Sequence, residues 1–149
     1  MEVKMVAKLY KTLSRNDTGE THSHQSGISI PASVAKSGIF PLLGIEKLNP
    51  RVPIDFTDED GKEWTFQYIY YNDQFFGKPA RQSHNEHRLT CVKEYISENG
   101  IHSGDRIWFG IDENNERYIG FEREANPNIT EVDGTTVIKL SANWHYVKF

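Results

Sequence analysis

Two stretches each set a pair of strand-like runs on either side of a tight polar turn, and they limit the fold more than any other feature. In "RVPIDFTDEDGKEWTFQYIYYN", residues 51–72, Ile54 and Phe56 end one arm. Asp58, Glu59, Asp60 and Gly61 make the turn, and Trp64, Phe66, Tyr68 and Tyr70 alternate along the return. In "GDRIWFGIDENNERYIGFERE", residues 104–124, one arm runs from Ile107 to Ile111 and the other from Tyr118 to Phe121. Period two marks a half-buried strand, and two such runs around a short polar turn make an antiparallel hairpin.

The rest of the chain extends this pattern. "EVKMVAKLYKTL" puts Val3, Met5, Ala7 and Leu9 on one face and Lys4, Lys8 and Tyr10 on the other. "GISIP" is a short strand, and "TTVIKL" and "HYVKF" are closing strands. Pro31 opens a short helix over "ASVAKSGIFPLLG", with Gly44 at its end, and Gly100 closes another over "CVKEYISENG". No strand–helix–strand series calls for a parallel sheet. The expected fold is mainly β (α+β): about seven strands, mostly antiparallel, in a barrel or sandwich with two short helices over its ends. At 149 residues, one domain spanning 1–149 is expected.

No apolar run approaches the roughly 20 residues of a membrane span, and the N-terminus lacks the apolar core of a signal peptide. No membrane partner is expected. Cys91 is the only cysteine, so an intrachain disulfide is impossible and a reducing, intracellular compartment is compatible. The net charge of −4 is unevenly spread. Residues 74–93 hold Lys78, Arg81, Arg88 and Lys93 against Glu86 alone, while residues 94–133 hold ten acids against three arginines. A basic edge on an acidic body fits a DNA-facing surface, and equally fits chance segregation.

Two polar stretches interrupt the strands. In residues 13–26, Ser14, Arg15, Asn16, Asp17, Thr18, His22, His24 and Gln25 crowd a connection far longer than the usual 4–6 residues. In residues 77–90, Lys78, Arg81, Asn85, Glu86, His87, Arg88 and Thr90 do the same. These residue types match base edges in the major groove: Arg to guanine, Asn or Gln to adenine, Asp or Glu to the cytosine amino group. Acids are poor choices for phosphate, but they suit a role as acceptors from cytosine. The plainer alternative is a turn at Asp17-Thr18-Gly19 with solvated charges.

Other chemistries fit less well. The pairs His22/His24 and His84/His87 could supply four metal ligands, but structural zinc usually wants cysteines at tight spacing. Asp55, Asp60 and Lys62 imitate the carboxylates and lysine of a small metal-dependent nuclease. The same residues also make a good hairpin turn. No cofactor is expected.

The two polar stretches carry a family resemblance. Leu13, Ser14, Asn16 to Gly19, His24, Gln25, Gly27, Ile30 and Pro31 make a first motif. Tyr70 to Asn72, Phe76 to Lys78, Asn85, Glu86, Arg88 and Thr90 make a second, about 50 residues on. Both resemble the N-terminal effector DNA-binding domain of EcoRII-like restriction endonucleases. The hairpin over 104–124 is similar to that of the related plant B-three DNA-binding domains. The resemblance implies a seven-stranded open DNA-binding pseudobarrel. It implies an N-arm of about 13–26 and a C-arm of about 77–90, gripping double-stranded DNA from the major-groove side. It places Asp17, His24, Glu86 and Arg88 among the DNA-contacting residues. A non-catalytic domain is implied, reading a short site such as CC(A/T)GG. The implied setting is a restriction-modification system in a prokaryotic cytoplasm, with the nuclease domain elsewhere in the parent protein or in another chain. Two departures bear on which sequence is read: His22-Ser23 stands where the family has glycines, and "PARQSH" lengthens the C-arm.

Overall fold

A computed structural model describes residues 3–20, 27–44, 46–72, 86–123, 136–139 and 143–149. The strands are β1 (Met5–Thr12), β2 (Ile28–Ile30), β3 (Arg51–Thr57), β4 (Glu63–Tyr71), β5 (Glu86–Thr90), β6 (Arg106–Asp112), β7 (Arg117–Glu122), β8 (Thr136–Lys139) and β9 (Trp144–Lys148). The helices are α1 (Ala32–Ala35) and α2 (Lys93–Glu98). All nine strands join one sheet in the order β2-β5-β4-β3-β7-β6-β1-β9-β8. Every pairing is antiparallel except a short parallel contact between β3 and β7, at Thr57 and Tyr118.

The sheet is curled. Ile28 of β2 and Trp144 of β9 stand seven strands apart in the order, a span of roughly 34 Å if the sheet were flat. Yet both belong to one buried apolar cluster that draws on nearly every strand and both helices. The short helices close the ends of this trough. Phe40, just past α1, stacks on Tyr68 at 5.1 Å between centroids and meets Phe109 at 5.6 Å and Phe56 at 6.4 Å. Tyr95 of α2 stands edge-on to Trp64 at 5.1 Å and to Phe66 at 6.2 Å. Aromatic pairs in such arrangements add to plain area burial.

The expected open pseudobarrel with two short helices is therefore present, with two local differences. Among the described residues the sheet has nine strands where about seven were expected; the strand that sequence reasoning did not name is β5, formed by Glu86–Thr90, which read as the end of the second polar stretch. Helix α1 ends at Ala35 instead of running to Gly44: Gly38 adopts φ +92° and Pro41 cannot continue a helix. In the first hairpin, Asp58 is the hub of the turn. Its carboxylate accepts from the backbone N–H of Asp60 and of Lys62 and from the indole of Trp64, each at 2.9 Å. Among the described residues no helix is long and apolar enough to cross a membrane.

Candidate nucleic-acid interface

The first polar stretch begins as a folded turn. At the end of β1, the Leu13 N–H donates to Asp105 O and the Gly104 N–H to Leu13 O, both at 2.9 Å. Glu20 N–H then donates to Arg15 O at 3.0 Å, and Gly19, at φ +82°, bends the chain back. Asp17 lies beneath this turn. Its Oδ2 accepts from the Lys11 ammonium at 2.7 Å and from the Ser14 N–H at 2.9 Å, while Ser14 Oγ accepts from the Asp17 N–H at 3.2 Å. Arg15 faces outward, with its side chain 72% exposed. Farther along, Glu20 accepts from the Ser103 N–H and hydroxyl at 3.1 and 3.2 Å. The Ser103 N–H is the main reason its carboxyl stays below the usual carboxylate range.

The second polar stretch ends in β5, where alternation sorts the residues. Glu86, Arg88 and Thr90 share the face that carries Ile69 and Tyr71 of β4, while His87 and Leu89 point with Tyr68 and Tyr70. Arg88 is buried, its side chain 7% exposed. One Nη donates to Glu86 Oε1 at 2.9 Å, and the other donates to the Gly27 carbonyl at 3.2 Å. Thr90 Oγ1 donates to Gln67 O at 3.4 Å. His87 stacks on Tyr70 at 4.3 Å and on Tyr68 at 5.5 Å.

Burial lowers the His87 pKa, so the fold favours its neutral form. That contribution is full above the ordinary histidine value and is lost as pH falls toward the lowered value. Urea unfolding midpoints should drop between about pH 7.5 and about pH 5.5, and drop less in His87→Phe. An equal drop in both would contradict this assignment.

Sequence reasoning missed the role of Asn72, which sits where the second polar stretch leaves β4. Asn72 is fully buried. It exchanges side chain–backbone bonds with Asn49 at 2.7 and 3.0 Å, and its amide donates to Lys47 O at 2.9 Å. Its place in the second motif, closing a run of aromatic strand residues, is the signal the sequence offers.

A cleft of about 740 Å³ joins the two stretches. It is lined by Asn16 to Gly19 of the first turn, Gly27, Arg51, Ile69 and Tyr71 of the first hairpin, and Thr90 to Lys93 with Ile96. Arg51 and Lys93 are exposed, so cations edge an otherwise partly apolar groove. Tyr71 belongs to the second motif, but sequence reasoning did not single out Arg51, which opens the first hairpin far from both polar stretches. Of the expected contact residues, Asn16, Asp17, Thr18 and Thr90 line the cleft, Ser14 and Arg15 are exposed on the turn beside Asn16, Glu86 and Arg88 share Thr90's face, and His87 points the other way. His22, His24, Gln25, Lys78, Arg81 and Asn85 lie outside the described residues, as does His84.

The residues of the nuclease alternative have other partners. Asp55 accepts from the Thr65 hydroxyl across the hairpin. The Lys62 ammonium donates to Glu98 at 3.0 Å and lies 4.1 Å from the Trp64 ring centroid. Asp60 sits in the turn that Asp58 organises. Among the described residues, no three His, Cys, Asp or Glu side chains group so as to hold a metal ion.

Comparison with known proteins bears on the same regions. The family described as "Restriction endonuclease EcoRII, N-terminal" matches residues 2–98. The type II restriction enzyme EcoRII of Escherichia coli is 37% identical over 83 residues, 54% of this chain and 19% of that protein. Auxin response factor 4 of Arabidopsis thaliana is 33% identical over 118 residues, 78% of this chain and 13% of that protein. The chain thus spans less than a fifth of either relative. Among solved structures, an Arabidopsis FUS3–DNA complex superposes with a TM-score of 0.58 at 22% identity, over 78% of this chain and 96% of that one. An Arabidopsis thaliana LEC2–DNA complex gives 0.56 at 17%, over 80% and 94%. These likenesses show a common pseudobarrel fold.

Proposed function

The chain belongs to the family of EcoRII-type N-terminal restriction-endonuclease domains, and from that premise we propose that it is a DNA-binding domain. In this reading it recognises a short double-stranded sequence through the two polar stretches that flank its cleft. The observation that carries the reading is the cleft itself. Asn16 to Thr18 of the first stretch and Thr90 at the end of the second line it beside exposed Arg51 and Lys93, which supports a surface where the two stretches act together. The two plant neighbours are themselves complexes with DNA, which supports the same reading.

Residues are assigned roles by exposure. Arg15, Asn16 and Thr18 stand on or near the surface of the first turn and reach bases or phosphates directly. His22, His24, Gln25, Lys78, Arg81 and Asn85 complete the two arms. Arg51 and Lys93 neutralise phosphates at the edges of the groove. The buried Glu86–Arg88 pair fixes the foot of the second arm. The domain cuts no DNA, and a nuclease domain in its parent protein or in another chain acts on the site it finds, in a bacterial cytoplasm. A short site such as CC(A/T)GG is the first duplex to try.

The lone thiol gives a direct test. Cys91 is exposed and lines the cleft. A duplex recovered by selection with this chain should slow alkylation of Cys91, and an unchanged rate at saturating duplex would contradict binding in the cleft. Affinity should also depend on salt. If about four or five phosphates are neutralised, log affinity falls with log salt at a slope of roughly −4. A slope near zero would remove DNA as the ligand. Magnesium should compete weakly as a cation and yield no cut strands. Cleavage lost in Asp60→Ala would instead support the nuclease reading.

A further inference from the structure

We propose that Lys11 and Asp17 form a buried latch that positions the first arm, so that Asp17 acts on DNA through the turn and makes no base contact itself; this rests on the DNA-binding reading above. The sequence expectation gave Asp17 the role of an acceptor from cytosine. The geometry points elsewhere. The Lys11 and Asp17 side chains are only 9% and 7% exposed, and their charged atoms are 2.7 Å apart. The oxygen that meets Lys11 also takes the Ser14 N–H, and Ser14 returns a bond to the Asp17 backbone. This carboxylate therefore ties three points together: the core side of β1, the entry of the turn and its middle.

Lys11 is an unusual choice for such a place. It shares the inward face of β1 with Ala7 and Leu9, both core residues, and its ammonium lies 5.8 Å from the ring centroid of Trp144, which is fully buried. A lysine there is tolerated because Asp17 neutralises it, since a buried charge without a partner is strongly disfavoured. The neighbouring lysine of the same strand does something different: Lys8 lies 4.0 Å from the Trp108 ring centroid in the separate cluster of Tyr10, Trp108 and Val147. The turn is further moored by the Leu13 and Gly104 backbone bonds to the loop before β6. Asn16 and Thr18, on either side of Asp17, are thereby held against the cleft. Preorganising a recognition loop raises affinity by removing the cost of ordering it on binding.

The test compares four chains: wild type, Lys11→Met, Asp17→Asn, and the double variant. Each is titrated with the tightest duplex recovered from a random-sequence selection by the wild type, and with a scrambled duplex of the same composition. Lys11→Met should weaken binding to the selected duplex at least tenfold. Its affinity for the scrambled duplex should stay within about twofold, and its salt slope should match the wild type, because the ammonium is buried and meets no phosphate. The double variant should recover to within about threefold of the wild type. The side-chain carbonyl left by Asp17→Asn can still accept from the Ser14 N–H, and no lone charge remains inside. A double variant as weak as Asp17→Asn alone would overturn the latch and return Asp17 to the bases. A salt slope shallower by about 0.9 in Lys11→Met would make Lys11 a phosphate contact and overturn it too. If Lys11→Met does not fold, the double variant carries the test. Failure of both to fold would show that the pair serves the barrel and not the arm, which also overturns the proposal. If the wild type selects no duplex, the DNA-binding reading fails, and the latch is rejected with it.

Discussion

Arg88→Ala should lower the unfolding free energy by about 3 kcal/mol, the lower end of what removing one partner of a buried ion pair costs. The side chain is almost wholly buried, and it carries two jobs at once. It neutralises Glu86, two residues back on the same face, and it donates to the Gly27 carbonyl where β2 begins. Truncation takes a guanidinium from both and opens a gap beside Ile69 of β4, which faces Arg88 across the ladder. Specific DNA binding should fall further than stability alone requires, because the lost residue stands at the foot of the second arm. Arg88→Lys should recover little, since an ammonium cannot make the forked pair of contacts. Denaturant melts of the three chains measure the first effect, and titrations at a temperature where each is fully folded measure the second. Stability within about 0.5 kcal/mol of wild type, the range of ordinary surface changes, would show that Arg88 is not built into the fold as described.

Gly27→Ala should be as damaging, for a backbone reason. Gly27 adopts φ +92°, which L side chains rarely adopt. A Cβ there would stand 2.4 Å from the Leu89 carbonyl oxygen and 3.1 Å from Thr90 Cα, both backbone atoms of β5. Neither can turn aside as a side chain could. The chain must peel β2 from β5 or distort β5, and backbone strain and overpacking each cost about 1–3 kcal/mol. The carbonyl that Arg88 holds belongs to the same residue, so the Arg88 and Gly27 variants should be coupled and the double variant less than additive. Gly19→Ala is the control. Gly19 also has a positive φ, but nothing lies within 4 Å of where its Cβ would be. It should lose only the strain. Equal losses at the two glycines would contradict the close approach of β2 to β5.

Much of this architecture is legible in the sequence because the burial pattern is local. The run around Asp58–Gly61 alternates and the run around Asp112–Glu116 sets two apolar segments about a polar turn, so both hairpins are found with nearly their observed limits. β5 hides because Glu86 and Arg88 neutralise each other on a face that polarity assigns to water. Alternation sets Lys11 on the Ala7–Leu9 face, but no local signal marks its neutralisation there, because its partner, Asp17, lies beyond the end of the strand and across a turn. The curl of the sheet, and with it the meeting of the two polar stretches in one cleft, depends on contacts such as Thr57 with Tyr118 that leave no local trace. The motifs singled out Asn16 to Gly19, Gly27, Tyr71 and Thr90 of the cleft lining, but not Arg51, which long-range pairing alone brings there.

In the function proposed above, this chain recognises a particular double-stranded sequence through its two polar stretches. Selection from a pool of random duplexes, followed by titration of single-base-pair mismatches, tests it most directly. The account predicts enrichment of one short sequence. Each mismatch within it should cost about 1–3 kcal/mol, as loss of a base contact does. Substituting Asn16 or Thr18 should relax discrimination at particular positions and leave the others intact. Recovery of no preferred sequence, with binding equal on every duplex or absent altogether, would contradict it.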